Sequence, residues 1–279
     1  MRDFTVVTVT YNSSHIIGDF IEKMGFENGS DTRLIIVDSG SDPEDARRTK
    51  AIADQYGAEF ILSRENIGYG AGSNIGARLA KSDWLLFINP DVAISLDQCA
   101  ALVTHAQDGG VDCLGPRVLD TNGRLKISWG RTITPPWRTR PSGISSHRNG
   151  LSITETISGC CMAIRRDVFD RLNGFDENFF LFCEEMDLHR RLNDVGGVVA
   201  LTDKVEVITP GGASSTGVSE RWRHVERAVG HTNYMRKHFF RLEGWIAVIY
   251  NILRIAVQPR FRPMLMSLRQ YNKGIRRQN

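Results

Sequence analysis

The chain opens with short apolar runs that alternate with amphipathic stretches. Phe4-Thr5-Val6-Val7-Thr8-Val9-Thr10 is rich in β-branched residues and runs into the polar group Tyr11-Asn12-Ser13-Ser14, the pattern of a buried strand and its turn. From Ile16 to Met24 the apolar positions Ile17, Phe20, Ile21 and Met24 recur at helical spacing. Leu34-Ile35-Ile36-Val37 then reads as a second strand that ends in Asp38-Ser39-Gly40-Ser41-Asp42, and a helical stretch follows to about Tyr56. Ala58 to Leu62 predicts a third short strand, Gly72 to Lys81 a third helix, and Trp84-Leu85-Leu86-Phe87-Ile88 a fourth strand that ends at Asn89-Pro90-Asp91. Strand and helix in alternation predict an α/β fold, a mostly parallel sheet flanked by helices, with ligands bound outside the carboxyl ends of its strands. Tyr11, Asp38 and Asp91 fall on that one edge.

Asp91 brings in chemistry. A carboxylate at a strand end can hold a hard cation such as Mg²⁺ or Mn²⁺, which favours oxygen ligands and bridges protein carboxylates to substrate phosphates. It therefore suits a nucleotide-diphosphate donor, although Asn-Pro-Asp is also ordinary turn chemistry. Gly68, Gly70 and Gly72 superficially match a dinucleotide-binding fingerprint. That fingerprint belongs to the first strand-helix turn, however, and these glycines follow the third strand. Glycines still permit close backbone approach to a ligand, and Asn66 and Asn74 can hydrogen-bond a ribose or diphosphate. A purely structural loop is the alternative. Further on, within the stretch Phe179 to Leu192, Glu184, Glu185 and Asp187 crowd the start of a helix, where the backbone dipole favours negative charge. Helix stabilisation alone would explain them. Neighbours on a helix point about 100° apart, so only one or two of these acids can enter a site.

These stretches together resemble a family 2 glycosyltransferase with the GT-A fold, and most closely the rhamnosyltransferase-like branch that builds bacterial cell-surface polysaccharides. The resemblance lies in Val9 to Asn12, Val37 to Ser41, Glu65 to Gly76, Leu86 to Asp91, Ser158 to Cys161 and Gly174 to Leu188, in family order. It implies an inverting, metal-dependent transfer of a sugar, with dTDP-rhamnose as the first candidate donor and a saccharide or polyprenyl-linked acceptor. Thr10, Tyr11, Asn12, Asp38, Ser41, Asn66, Gly68, Asn74 and Asn89 would line the donor site, with Tyr11 and Asp38 at the base and ribose. Asp91 would hold Mg²⁺ or Mn²⁺. The family carries Glu-Asp with the second acid as base, which points to Glu185, one methylene longer, among Glu184, Glu185 and Asp187. A His that family members place before a Gly-Gly-x-Ser stretch is replaced in Thr209-Pro210-Gly211-Gly212-Ala213-Ser214-Ser215. The metal would then rest on Asp91, water and diphosphate oxygens, or a basic tail residue would assist. His189, His224, His231 and His238 lack metal-ligand spacing and read as structural or surface residues. A non-catalytic nucleotide- or glycan-binding module on this fold, or a nucleotidyltransferase, are the rival classes; the latter is disfavoured because no Lys or Arg sits in a glycine-rich loop after the first strand.

At 279 residues and 41% hydrophobic composition the chain can bury a full core, enough for one catalytic domain with an appendage. We expect a catalytic domain over 1–217, with its nucleotide-sugar part at about 1–92 and its acceptor part at 93–217, and a basic helical appendage over 218–279. The polar stretch from Arg124 to Asn149 is a candidate acceptor loop or lid. Five cysteines without metal-type spacing favour a reducing cytosol, and Asp3 just ahead of the first strand argues against an export signal. From Arg236 to Asn279 ten basic residues face one acid, Glu243, whereas the first 235 residues hold 25 basic and 31 acidic ones. Within this tail Ile246, Ile249, Tyr250, Leu253 and Val257 recur at helical spacing, over too short a run to cross a bilayer, which takes about 20 residues. With Arg241, Arg260 and Arg262 alongside, that helix is suited to an anionic membrane surface at the cytosolic face; packing on the catalytic core is the alternative. Aromatics are not interleaved with the bases, so we expect no nucleic-acid partner.

Overall fold

The computed structural model of the protein describes residues 3–134, 143–210, 220–239, 245–246, 248–250 and 253. The predicted alternation is present: β1 (Phe4–Thr10), α1 (Ser14–Met24), β2 (Arg33–Asp38), α2 (Pro43–Tyr56), β3 (Glu59–Leu62), α3 (Gly68–Leu79) and β4 (Trp84–Ile88). There follow α4 (Leu96–Gly109), β5 (Cys113–Leu119), β6 (Leu125–Lys126), β7 (Trp129–Gly130), β8 (Ile144–Arg148), β9 (Leu151–Thr154), β10 (Thr156–Ile157), β11 (Cys161–Arg165), α5 (Arg166–Arg171), α6 (Glu184–Asp194), β12 (Val199–Ile208) and α7 (Glu220–His238).

A ten-stranded sheet runs in the order β3-β2-β1-β4-β11-β5-β12-β9-β8, with β6 on β5. Its first four strands are parallel. Strand β11 is inserted antiparallel between β4 and β5, and β12 is again parallel to β5. The sheet is thus mixed beyond β4, where short polar strands return by hairpins, which need no helical crossover. Direction decides the site. β1, β2, β4, β5 and β12 all end at the same edge, and because β11 runs the other way it starts there, pairing Cys161 with Ile88.

Alternation along the central strands feeds two cores, as expected of strands buried on both faces. Val6, Leu86 and Ile88 pack with Ile17, Phe20, Ile21 and Leu102 on one side, and Val7, Leu85 and Phe87 pack with Phe169, Leu188 and Leu192 on the other. Helix α3 begins at Gly68 and ends at Leu79, four residues earlier at its start than the apolar pattern predicts. The glycines obscure it, because they are poor helix formers, yet here they let the helix lie directly on β1. A Cβ at Gly72 would come within 2.9 Å of Val9 Cγ1, and one at Gly76 within 2.3 Å of Val7 Cγ1.

Helix α7 packs on the catalytic core. Tyr234, Met235, Phe239 and Val248 form a third cluster with Phe179 and Cys183, the residues leading into α6. This half of the expected appendage is therefore part of the fold. The boundary at 217/218, the Gly-Gly-x-Ser-like stretch from 211 and the tail beyond 253 lie outside the described residues, as do positions 135–142 of the candidate acceptor loop.

Candidate active site

The ends of β1 and β2 are tied into one polar knot. Asp38 is fully buried; its Oδ2 accepts hydrogen bonds from Thr10 Oγ1 at 3.0 Å and Ser41 Oγ at 2.7 Å, and its Oδ1 from the Ser41 amide at 2.8 Å. Ser41 Oγ accepts from the Asn12 amide at 2.7 Å, and Asn12 Oδ1 from the Asp42 amide at 2.9 Å. Four of the sequence-selected donor residues, Thr10, Asn12, Asp38 and Ser41, are thus brought together, and a ligand reaching the Asp38 carboxylate would have to displace Ser41. Tyr11 is half-buried beside them. Asn66 joins the knot to α3: its Oδ1 accepts from Ser39 Oγ at 3.1 Å and from the Gly68 amide at 3.1 Å.

Two of the selected donor residues contact the protein's own loop. Gly68 has φ +81°, and a Cβ there would meet the carbonyl oxygen of Phe180 at 2.1 Å; its lack of a side chain serves contact with the protein's own loop. Asn74 is buried, and its amide is committed to that loop. Nδ2 donates to Phe175 O at 2.9 Å and Glu177 Oε1 at 3.0 Å, and Oδ1 accepts from the Phe175 amide at 2.9 Å. The glycine stretch is the first turn of a helix that clamps the segment carrying the acids.

That segment enters α6 through two consecutive non-glycine residues in the left-handed region, Phe182 at φ +67° and Cys183 at φ +70°. Each costs on the order of 1–3 kcal/mol, strain that persists where surrounding structure over-determines it. The turn aims both glutamates inward. Glu184 lies against Gly70, and Glu185 against Gly159, whose Cβ would come within 3.3 Å of Glu185 Cβ. Among the described residues neither Glu184 Oε2 nor Glu185 Oε2 has a hydrogen-bond partner, and both atoms are buried. Burial, and after it the charge of Glu185, hold the Glu184 carboxyl well above the usual carboxylate range. Burial also raises Glu185, offset in part by the amides of Glu185 and Met186. Two adjacent buried acids resist double ionisation, and Glu184 is the more deeply buried of the two.

The pair shares its surroundings with Asp91. Asn89, half-buried at the end of β4, donates its amide to Cys160 O at 2.8 Å. The Cys160 thiol is raised first by burial and then by the charges of Asp91 and Glu185, while Ser158 and Lys126 pull it down. Asp91, Glu185 and Lys126 thus all act on one sulfur at the sheet edge. Tyr69 spans the gap from α3, donating from Oη to Gly159 O at 2.9 Å; burial and then the two glutamates raise its pKa well above the ordinary phenol. Reading of the sequence singled out none of Tyr69, Cys160 and Lys126. The first two lie inside the family-like stretches and were legible there, whereas Lys126 reaches the edge only because β6 folds back along β5, for which no local signal exists.

Asp187 does not point to the same place. It is fully buried and bound by Arg191 Nε at 2.8 Å, Lys237 Nζ at 2.7 Å and His238 Nε2 at 2.7 Å. Burial alone would raise its pKa, but the hydrogen bonds from His238 and Lys237 and the charge of Arg191 outweigh it and bring the carboxyl down to about 2. Through these bonds Asp187 docks α7 onto α6, with His238 as one of its partners. His189 sits in the interior, with Nδ1 3.0 Å from Thr156 Oγ1 and Nε2 3.5 Å from Cys113 Sγ.

Among the described residues no group of three or more His, Cys, Asp or Glu could enclose a metal ion. The donor set at the edge is a strand-end carboxylate, Asp91. That does not suit a protein-enclosed zinc site, but it fits a hard cation that takes one or two carboxylates and completes its shell from phosphates and water.

A family model described as glycosyl transferase family 2 matches residues 5–172. The chain belongs to this family. It is a glycosyltransferase, which decides against the binding-module and nucleotidyltransferase alternatives. Among its family 2 relatives, the N-acetylglucosaminyl-diphospho-decaprenol L-rhamnosyltransferase of Mycobacterium tuberculosis is 24% identical over 230 residues, covering 73% of this chain and 74% of the relative. The rhamnosyltransferase WbbL of Escherichia coli K12 is 24% identical over 208 residues, 66% of this chain and 75% of its own. Solved structures with the same GT-A fold include S. aureus TarS in complex with UDP-GlcNAc, with a TM-score of 0.58 at 14% identity over 94% of this chain and 78% of that one. The mannosyltransferase PcManGT from Pyrobaculum calidifontis, in complex with GDP-Man and Mn²⁺, aligns with a TM-score of 0.57 at 12% identity over 94% of this chain and 82% of that one.

Proposed function

We propose that the protein is an inverting transferase that moves a sugar, with L-rhamnose from dTDP-rhamnose as first candidate, from a nucleoside diphosphate to a lipid-linked or saccharide acceptor in cell-surface polysaccharide synthesis. The observation that carries this is the buried, unpartnered Oε2 of Glu185 beside the strand edge that bears Asp91. An acceptor hydroxyl donating to that oxygen would satisfy it. As the hydroxyl oxygen attacks the anomeric carbon from the face opposite the diphosphate, its proton passes to Glu185, and the electrons of the breaking carbon-oxygen bond leave with the nucleoside diphosphate. Burial raises the proton affinity of Glu185, which suits a general base working near neutral pH. The Thr10, Asn12, Asp38 and Ser41 knot, with Tyr11 and Asn89, frames the donor. Asp91 would hold Mg²⁺ or Mn²⁺, which when bound neutralises charge on the diphosphate. The relatives from M. tuberculosis and E. coli, both named rhamnosyltransferases, support the choice of sugar, and the decaprenol in the former's name supports a lipid-linked acceptor.

A lipid-linked acceptor would place the enzyme at the cytosolic face of a membrane. Among the described residues no helix is long and apolar enough to cross one. Trp245, Ile246, Ile249, Tyr250 and Leu253 are all 45–59% exposed, while Val248 turns into the core; these and the basic tail are suited to peripheral contact with anionic lipid. Ile249→Glu with Leu253→Glu should reduce co-sedimentation with phosphatidylglycerol vesicles without altering donor binding, and equal sedimentation of both forms would refute the contact. The donor itself is tested by thermal shift with dTDP-rhamnose, UDP-GlcNAc and GDP-mannose, with and without Mn²⁺, since a ligand of the native state raises the unfolding midpoint. The proposal expects a Mn²⁺-dependent rise with dTDP-rhamnose; a rise confined to another donor would replace the sugar, and none with any would overturn the donor site.

A further inference from the structure

Lys126 is a basic side chain on the edge that bears Asp91. Of the basic residues around α6, Arg190, Arg191 and Lys237 each bind carboxylates. Among the described residues Lys126, half-buried, makes no ion pair. Its ammonium has two carbonyl contacts, Thr209 O at 3.4 Å and Pro210 O at 3.3 Å. Both are longer than an ordinary N–H···O bond of about 2.7–3.2 Å, and charged donors normally make shorter ones still. A partly desolvated ammonium without an anion is a costly arrangement unless something negative completes it.

Its position is set by the sheet. β6 pairs with β5 in the register Val118 to Lys126, which puts Lys126 at the end of β5. Thr209, the first residue past β12, bonds back to Leu119 O at 3.0 Å, and Ile208 before it accepts from the Ala93 amide at 2.8 Å. Ala93 is two residues beyond Asp91. The Lys126 ammonium thus reaches the carbonyl of Thr209, whose neighbour Ile208 is bonded to Ala93 on the same edge, and Lys126 and Asp91 act on the same Cys160 thiol from opposite signs of charge.

We infer that Lys126 binds the diphosphate of the nucleotide, supplying from the protein itself a positive charge on the leaving group. The inference rests on the nucleoside-diphosphate donor proposed above. A lysine acts on phosphate as a compact point charge without fixed fork geometry, which suits a group whose charge grows as the bond to the sugar breaks. Lys126 would contribute to binding the donor, and more strongly to stabilising the departing diphosphate.

The test is calorimetric binding of dTDP and of thymidine to the parent, Lys126→Met and Lys126→Arg, each in Mn²⁺ and in EDTA, alongside the unfolding midpoint of each protein. Methionine keeps the apolar stem and removes the charge. Lys126→Met should weaken dTDP roughly tenfold to a hundredfold, the usual worth of a charge-assisted contact, in both Mn²⁺ and EDTA. Thymidine affinity and the unfolding midpoint should stay unchanged, and Lys126→Arg should recover most of the loss. If Lys126→Met binds dTDP as the parent does, or loses dTDP and thymidine equally with a lower midpoint, Lys126 is a clip on the Thr209-Pro210 carbonyls and the inference fails. A parent that binds neither dTDP, UDP nor GDP overturns the donor itself, and this inference with it.

Discussion

Asp187→Asn should cost the protein stability at neutral pH and none at strongly acid pH. The carboxylate is fully buried and receives Arg191, Lys237 and His238. Its pKa, held at about 2 against an ordinary 3.8, makes the ionised form worth about 2 kcal/mol to the folded state, at about 1.4 kcal/mol per pKa unit. The sign follows from proton counting. Between the two pKa values the unfolded chain binds a proton that the folded chain does not, so this stability is fully present above about pH 4 and is lost as pH falls toward 2. Asparagine removes the charge at every pH and leaves Arg191 and Lys237 without their carboxylate and His238 without its charged acceptor, so 2 kcal/mol is a lower bound, and breaking a buried pair typically costs about 3–5 kcal/mol. Urea unfolding of parent and variant across pH 2–7 measures it. The difference should be largest at neutral pH and shrink as pH falls from 4 to 2. Curves that stay parallel over that interval, or coincide at pH 7, would refute the assignment. Because the clamp anchors the turn that carries Glu185, the variant should also lose transfer rate, with donor affinity little changed.

Gly76→Ala should destabilise although alanine favours helix by about 1 kcal/mol, because the new Cβ would lie 2.3 Å from the buried Val7 Cγ1 and overpacking costs about 1–3 kcal/mol; a raised unfolding midpoint would refute the close packing of α3. His189, driven by burial and then by the charge of Arg191 to a pKa of about 3, is neutral when folded, so stability falls as pH drops from 6.5 toward 3. Exchange of its imidazole protons followed by NMR should show no imidazolium at pH 5, and a charged ring there would contradict it. Asp91→Ala should abolish the Mn²⁺-dependent part of donor binding in calorimetry, and unchanged Mn²⁺ dependence would remove Asp91 from the metal site.

The strand-helix order as far as β4 was legible because buried parallel strands read as continuous apolar runs and amphipathic helices as a 3.6-residue period, as in Leu34 to Val37 and Ile17 to Met24. The meeting of Tyr11, Asp38 and Asp91 at one edge follows from that order alone. The start of α3 was not legible, since Gly68 to Gly72 owe their helical state to contact with β1 and the Phe180 loop, which outweighs propensity. Nor was the different packing of Glu184, Glu185 and Asp187. All three stand in the first turn of α6, and only the arrival of Lys237 and His238 at the end of α7 engages Asp187 in a clamp. Lys126 depended likewise on a two-residue strand too short to leave a periodic signal.

The central claim is that Glu185 takes the acceptor proton, and single-turnover sugar transfer by Glu185→Gln, with donor affinity measured on the same protein by calorimetry, tests it most directly. Glutamine keeps the size and removes the basicity. Transfer should fall roughly a hundredfold to ten-thousandfold, the usual worth of general-base catalysis, while the donor dissociation constant stays within about threefold. Near-normal transfer by Glu185→Gln would contradict the account.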